Sequence, residues 1–177
     1  MKKTILFTSF VLSMTPLFAQ EAVNPAPYYE LGYSMLTYSD SGSKFTPGAA
    51  RLVVGVKANS NFGYEGIIGL GLVSSKKTVS GVETKTSIPS FYGLYGKAFA
   101  NVGNDVEVFA RLGLAGFRRE ITPSNGTSNN GSGISYGVGA KYAISKDTQI
   151  SADYMSYYPS KNSVGLSGFT LGAVFSF

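Results

Sequence analysis

The sequence predicts an all-β fold, an eight-stranded antiparallel up-and-down barrel that crosses a membrane with its strands. Segments that alternate between apolar and small or polar residues recur along the chain, and the connections between them alternate between short and long. Charged residues make up 14% of the chain, well below the roughly 25% of soluble domains. A barrel with one face in lipid explains both the alternation and the scarcity of charge.

A tilted membrane strand needs roughly 9–11 residues. Eight segments of about that length follow one another: Tyr28–Tyr38, Ala49–Ala58, Phe62–Ser74, Ile88–Ala100, Val106–Arg118, Gly133–Ile144, Thr148–Tyr158 and Gly165–Phe177. Tight turns rich in Asn, Gly and Asp lie at residues 59–61, 102–105 and 145–147. Longer connections lie at residues 39–48, 75–87, 120–132 and 159–164. Short turns at one end and long loops at the other are typical of membrane barrels.

The alternation gives each predicted strand two different faces. On the segment from Phe62 to Ser74, one face carries large apolar residues, and the other carries glycine and Glu65. A soluble barrel would turn that glycine-rich face to water, which makes a poor water-facing surface. Lipid outside and a polar lumen inside explain both faces. The segment from Ile88 to Ala100 is less regular, with aromatics on both faces, and Pro89 is expected near its end.

The N-terminus has the pattern of a secretory signal peptide. Lys2 and Lys3 precede an apolar run, and Ala19 supplies a small residue before the expected cleavage site. The predicted organisation is a signal peptide at residues 1–19, a short lead-in at residues 20–27 and a barrel domain at residues 28–177.

Charges on the inward faces recur near the tight turns, where a strand with a base is joined to a strand with an acid. We predict a ladder of lumen ion pairs across these turns. The predicted pairs are Lys57–Glu65, Lys97–Glu107 and Lys141–Asp153, with Glu30, Arg51 and Arg111 completing the network. Side chains just fill the interior of an eight-stranded barrel, and an unpaired charge there would cost several kcal/mol. A path for protons or ions along the ladder is the alternative role.

Outward aromatic residues cluster near strand ends, where membrane barrels carry interfacial girdles, although ordinary strand propensity is the alternative explanation. The predicted girdle is Tyr29, Phe62, Tyr64, Tyr142, Tyr154, Tyr158, Phe175 and Phe177. The long connections carry more bases than acids, and these bases are Lys44, Lys76, Lys77, Lys85, Arg118, Arg119 and Lys161. The excess suits lipopolysaccharide phosphates or acidic polymers on another cell, and a merely solvated surface explains it equally.

The composition argues against an enzyme. With no His and no Cys, the chain lacks the usual general base near neutral pH and the usual thiol nucleophile. Ser–Lys or carboxylate chemistry stays open on the sequence, but no P-loop or metal-ligand spacing occurs in it. We predict no enzymatic activity, no cofactor and no metal.

The last stretch, Val164–Phe177, has an apolar face and a small-residue face, and it ends on an aromatic ring. It resembles the final strand of outer-membrane barrels. Together with the signal peptide and the eight segments, it is similar to the small outer-membrane β-barrel superfamily, which includes the OmpA membrane domain, OmpX-like barrels and opacity-type surface antigens. The resemblance implies an integral protein of a Gram-negative outer membrane, with Phe177 read by the barrel-assembly machinery.

The partners expected on this basis are outer-membrane lipid, lipopolysaccharide, the assembly machinery and a host or cell-surface polymer. We predict no binding to nucleic acid, because the net charge is mild. We also predict that the protein is a monomer.

Three functions stay open on the sequence. The first is a structural and surface-interaction role with a lumen filled by side chains. The second is a narrow channel or a carrier for small apolar or ionic solutes, as in OmpW-like relatives, with an apolar upper lumen lined by Phe91, Tyr95, Met155 and Tyr157. The third is a soluble exported barrel that binds a ligand inside.

Overall fold

A computed structural model describes residues 26–40, 42–79, 82–122, 128–161 and 164–176. The strands are β1 (Ala26–Asp40), β2 (Ser43–Phe45), β3 (Gly48–Lys57), β4 (Phe62–Val73), β5 (Ser75–Val79), β6 (Val82–Val102), β7 (Val106–Thr122), β8 (Ser128–Ala143), β9 (Thr148–Lys161) and β10 (Val164–Ser176). Eight of them form one sheet in the order β10-β9-β8-β7-β6-β4-β3-β1, which closes because β1 also pairs with β10. The short strands β2 and β5 add to β1 and β6. The predicted eight-stranded antiparallel barrel is confirmed.

The seam between β1 and β10 is continuous. Its antiparallel register runs from Tyr28 opposite Ser176 to Asp40 opposite Val164. Closure leaves no open edge among these eight strands, so their backbone N–H and C=O groups do not need water, which the lipid core does not supply. Among the described residues, no helix is long and apolar enough to cross a membrane.

Several strands are longer than the sequence predicts. β6 has 21 residues and β7 has 17, so much of the predicted long connections at residues 75–87 and 120–132 is paired strand. The first strand also begins earlier than expected, since Ala26, placed in the predicted lead-in, pairs with Lys57. The two strands of a hairpin can stay hydrogen-bonded beyond the lipid. The predicted strand lengths were taken from the thickness of the lipid core alone, so they are too short.

Pro89 lies inside β6 and not near a strand end, which corrects the expectation for this residue. The pairing of β6 with β7 shifts register between Ser87 and Ser90. A proline lacks the backbone N–H of a regular ladder, and an irregularity tolerates that loss. Gly103, in the turn between β6 and β7, has φ of +71°, a left-handed conformation that suits glycine.

Burial alternates along the strands as the two predicted faces require. On β4, for example, Tyr64 and Ile68 are exposed, and Glu65 and Ile67 are buried. The buried apolar core lies inside the barrel, in the half nearer the long connections. The charged side chains occupy the other half, so the lumen has a polar lower part and an apolar upper part. The predicted signal peptide and Phe177 lie outside the described residues.

Candidate functional site

Charged side chains from seven strands of the barrel converge in the lower lumen, each at most 3% exposed. They are Glu30 on β1, Arg51 on β3, Glu65 on β4, Lys97 on β6, Glu107 and Arg111 on β7, Lys141 on β8 and Asp153 on β9. Each occupies an inward position of its strand, because side chains alternate between the two faces of a sheet.

Two arginines hold three acids at the centre of this group. Arg51 donates hydrogen bonds from both terminal nitrogens to Asp153, at 2.8 Å from Nη1 to Oδ1, and it also contacts Glu30. Arg111 donates from Nη1 to Asp153 at 2.8 Å and from Nε to Glu65. A planar, permanently charged guanidinium can bridge carboxylates that lie on different strands. These five residues, here called the central ion cluster, tie β1, β3, β4, β7 and β9 together.

Two lysines extend the network toward the short-turn end. The Nζ of Lys97 lies 2.6 Å from Oε1 of Glu107 and 3.8 Å from Glu65. The Nζ of Lys57 lies 2.7 Å from the other oxygen, Oε2, of Glu107. The Lys57 side chain is 33% exposed, so the charge network reaches water at this end of the barrel.

Lys141 has an aromatic neighbour in place of an acid. Its Nζ lies 4.2 Å from the ring centroid of Tyr28 and 5.6 Å from that of Phe109. Tyr28 in turn donates a hydrogen bond from its hydroxyl to Glu65. A cation over an aromatic face is stabilised by the ring quadrupole, most strongly where water is excluded.

The pairing across tight turns is only partly as predicted. Lys97 pairs with Glu107 as expected, whereas Lys57 meets Glu107 and not Glu65. The expected pair of Lys141 with Asp153 does not form, and no ion pair of Lys141 occurs among the described residues. Long side chains can reach across a narrow lumen, so a lysine can pair with an acid on a distant strand in place of the acid on the next strand along the chain. The sequence reading missed Tyr28, although its spacing of two from Glu30 puts it on the inward face.

The upper lumen is filled by apolar side chains. Phe91 of β6 and Tyr157 of β9 approach within 4.6 Å between ring centroids, and both are at most 1% exposed. The Phe91 ring covers Gly69 so closely that a Cβ there would lie 2.0 Å from it. The aromatic plug, as it is called here, consists of Phe91, Tyr157, Tyr38, Phe117 and the apolar side chains packed with them. Tyr157 also accepts a 3.3 Å hydrogen bond from Arg51, which joins the plug to the central ion cluster. The four residues predicted to line a carrier, Phe91, Tyr95, Met155 and Tyr157, all belong to this packed group.

Arg119 lies above the plug and is not the exposed loop base that was predicted. It is 9% exposed, and it donates hydrogen bonds to Tyr38 and, at 2.6 Å, to Asp40. Its neighbour Arg118 points outward, with a side chain 56% exposed and 3.5 Å from Glu120. Consecutive residues of a strand face opposite sides, so only one of the two arginines can be on the surface.

A family model described as outer membrane protein beta-barrel domain matches residues 5–177. The match spans nearly the whole chain. The chain belongs to this family. The resemblance seen in the sequence is thereby confirmed, and the family places the barrel in the outer membrane. No curated protein sequence gives a significant match.

Solved structures share the fold at low sequence identity. Ail, the attachment invasion locus protein of Yersinia pestis, solved with the heparin analogue sucrose octasulfate, is 18% identical with a TM-score of 0.63, and the match covers 86% of this chain and 99% of that one. Neisserial surface protein A is 16% identical, with a TM-score of 0.65 and coverage of 85% and 97%. OprG of Pseudomonas aeruginosa is 9% identical, with a TM-score of 0.59 and coverage of 86% and 96%.

The outer-membrane barrel carries most of its predicted girdle residues on the outward face. Phe62, Tyr64, Tyr142 and Tyr154 are exposed there. Tyr29 stacks on Phe175 across the β1–β10 seam, with ring centroids 5.1 Å apart. Tyr158 departs from the prediction, because it is half-buried and packs edge-on against Phe117 of the plug, at 5.6 Å. The β9–β10 pairing is irregular beside Tyr158, which disturbs the simple alternation there.

The remaining predicted surface bases lie on the hairpins at the end opposite the tight turns. Lys44 on β2, Lys76 on β5 and Lys85 on β6 are exposed. Lys76 and Lys85 stand directly opposite each other in the β5–β6 ladder, and β2 runs beside β5. The side chains of Lys77 and Lys161 lie outside the described part of the chain.

Proposed function

We propose that this outer-membrane barrel is a structural and surface-interaction protein that lets no solute through its lumen and binds acidic polysaccharides with its exposed basic hairpins. It has no enzymatic activity in this proposal, since the lumen acids are engaged by arginine and lysine and the chain has no His or Cys. The observation that carries the proposal is the filling of the lumen at two successive levels.

The lower level of that filling is electrostatic. The central ion cluster spans the lumen with hydrogen-bonded ion pairs whose side chains have no exposed surface. An ion moving through would have to separate these pairs and leave charges unpaired, at a cost of several kcal/mol. A narrow ion channel along the ladder is therefore the weaker alternative.

The upper level is apolar. The aromatic plug packs Phe91 on Tyr157, and Tyr38 lies 6.3 Å from Phe117 between ring centroids. Arg119 joins the hydroxyl of Tyr38 to Asp40 above them. A carrier for small apolar compounds would need these rings to separate, so their close packing favours a closed barrel over a carrier.

The three exposed lysines supply the binding surface. Side chains directly opposite in an antiparallel ladder have Cβ atoms about 5 Å apart, and like charges so placed repel each other. Lys76 and Lys85 have this relationship, and Lys44 sits on the neighbouring strand β2. A polymer with repeated acidic groups could engage all three. Ail, which has the same fold, was solved with a sulfated heparin analogue.

Planar-bilayer recording tests the closed lumen. Purified, refolded protein is expected to give no discrete conductance steps, in a bilayer where a porin added afterwards does. Reproducible steps from the wild-type barrel would contradict the closed lumen and favour the channel. Loss of those steps on heating the protein before addition would exclude a contaminant.

Binding of immobilised heparin tests the polymer surface. A variant with Lys44→Gln, Lys76→Gln and Lys85→Gln is expected to bind at least about tenfold more weakly at low salt, because each lost charge weakens a screened Coulomb attraction. Lys146→Gln is the control, since Lys146 is an exposed lysine in a tight turn at the opposite end. Equal binding by the triple variant and the wild type would contradict this role of the lysines.

A further inference from the structure

The lipid-facing surface of the barrel has an apolar groove. It has a volume of about 560 Å³ and crosses β3, β4, β6, β7 and β8. Its walls include Leu52, Ile68, Tyr92, Leu94 and Leu114, all exposed on the outward face. Most of the outward surface is covered by such large side chains, so a recess between them requires an explanation of its own.

An outward glycine opens the recess. Gly66 of β4 stands between Val54 and Leu94 in the sheet register. A Cβ added at Gly66 would meet a single neighbouring atom, Cδ2 of Leu94, at 3.8 Å. The position could therefore carry a side chain without a clash at its Cβ, and its absence opens the surface. Gly116 of β7 also lines the groove, but the ring of Tyr92 covers it, since a Cβ there would lie 2.9 Å from that ring.

A positive charge stands at one end of the groove. The outward residues of β7 run from Leu114 through Gly116 to Arg118, so Arg118 follows the groove in the direction of the long connections. Four residues of extended strand from Leu114 to Arg118 span about 13 Å. One acyl layer of a bilayer is about 15 Å thick, half of the hydrocarbon core. A chain lying in the groove could thus place its headgroup beside this guanidinium.

We propose that the groove binds an acyl chain of lipopolysaccharide through its lipid A part, with a lipid A phosphate on Arg118. The long connections of a membrane barrel face the outside, so the Arg118 end of the groove lies in the outer leaflet, where this lipid resides. Arg118 already contacts Glu120, but both side chains are at least half exposed, and exposed ion pairs are weak enough for a phosphate to displace. The inference rests only on the barrel's place in the outer membrane and is independent of polymer binding by the lysines.

Dispersion contacts with the walls would hold an acyl chain in the groove. Lipid tails are as apolar as leucine side chains, so transfer from bulk lipid brings no hydrophobic gain. A chain in a recess, however, touches protein on several sides and gains dispersion contacts that a flat surface does not offer. A side chain at Gly66 would remove many of those contacts at once.

Titration of the folded barrel with purified lipid A in a non-ionic detergent, followed by native mass spectrometry, tests the proposal. The wild type is expected to form a one-to-one adduct. Gly66→Leu is expected to weaken it by about tenfold through lost dispersion contacts. Arg118→Gln is expected to weaken it by about fivefold at low salt through the lost charge.

Gly96→Leu is the matched control. Gly96 is also an outward glycine of the sheet, and a Cβ there would meet only the carbonyl oxygen of Leu112 at 3.8 Å, but it does not line the groove. It is expected to bind lipid A as the wild type does. Equal binding by Gly66→Leu and the wild type, or an equal loss in both glycine variants, would overturn the proposal.

The same titration tests two other occupants. Phosphatidylglycerol in place of lipid A should bind at least severalfold more weakly, and equal binding would overturn the choice of lipid A. A barrel dimer that disappears in Gly66→Leu would show that a second copy occupies the groove, which would also overturn the proposal.

Discussion

Arg51 and Asp153 form a two-pronged ion pair across the lumen, although they are 102 residues apart in the chain. Their strands, β3 and β9, do not pair with each other, because β1 and β10 lie between them in the sheet. Both side chains are without exposed surface. Backbone ladders join each strand only to its neighbours, so this pair and the contacts of Arg111 brace the barrel in cross-section.

Removing the acid of this pair is expected to destabilise the barrel. Asp153→Asn keeps the shape but leaves Arg51 and Arg111 short of a charged partner. The free energy of unfolding should fall by about 3 kcal/mol, at the low end for broken buried pairs, since Glu30 and Glu65 still face the arginines. Urea unfolding in lipid vesicles, followed by circular dichroism, measures it. Asp147→Asn in an exposed turn is the control and should change it by at most about 0.5 kcal/mol.

The two variants separate an effect of the central ion cluster from a general effect of charge. If Asp153→Asn unfolded at the same urea concentration as the wild type, the central ion cluster would be dispensable for stability. The same result in both variants would indicate a general effect of losing a negative charge.

The sequence was sufficient to predict the closed barrel, its eight main strands and the inward placement of the lumen charges. The alternation of a strand determines the direction of a side chain, and so Glu65 and Arg111 could be placed in the lumen. It does not determine how far a side chain reaches. Lys57 crosses to Glu107 because the stagger of the strands, which no residue pattern encodes directly, brings that acid nearer.

Other misses also have local physical causes. Arg119 was counted as a surface base because its segment was expected to be a loop, but β7 extends through it and the alternation turns it inward. Tyr158 was expected in lipid, but the irregular pairing of β9 with β10 breaks the alternation there. Both departures lie at the end of the barrel that carries the long connections, where the strands extend beyond the membrane.

Lys141 and Lys97 should respond differently to the same substitution. Lys141→Met removes a cation that faces the ring of Tyr28, and it leaves no acid without its direct partner. Lys97→Met removes a base that lies 2.6 Å from Glu107. We expect Lys97→Met to cost about 1–2 kcal/mol more in unfolding free energy. Glu107 would keep only the partly exposed Lys57 as a partner and Glu65 would lose a nearby base, whereas Lys141→Met loses only a cation–π contact. Equal costs in vesicle unfolding would show that Lys141 depends on an acid after all.

Arg119 and Arg118 offer a test of the contacts that Arg119 makes above the aromatic plug. Arg119→Gln should lower the unfolding free energy by about 1–3 kcal/mol, because Tyr38 and Asp40 lose a shared, largely buried charged donor. Arg118→Gln, one residue away on the exposed face, should change it by at most about 0.5 kcal/mol. Thermal unfolding in a non-ionic detergent measures both. A larger effect of Arg118→Gln would contradict the assigned faces.

A charge placed on the outward face distinguishes a membrane barrel from a soluble one. Leu112 and Leu72 are equally exposed, at 64%. Leu112 lies in the middle of the outward apolar residues of β7. Leu72 lies near the long connections, because it follows Leu70, which is level with Arg118 in the sheet register. Leu112→Arg should cost about 2–4 kcal/mol in vesicles and Leu72→Arg at most about 1 kcal/mol, because the cost of a cation falls from the bilayer midplane to the interface.

A soluble barrel with the same faces would respond otherwise. Both leucines would then face water, and each exposed substitution would change the unfolding free energy by at most about 0.5 kcal/mol. The folded fraction can be read from the faster migration of unheated protein on a gel. A depth-dependent loss, large for Leu112→Arg and small for Leu72→Arg, requires lipid around the barrel, and equal small effects would require water there.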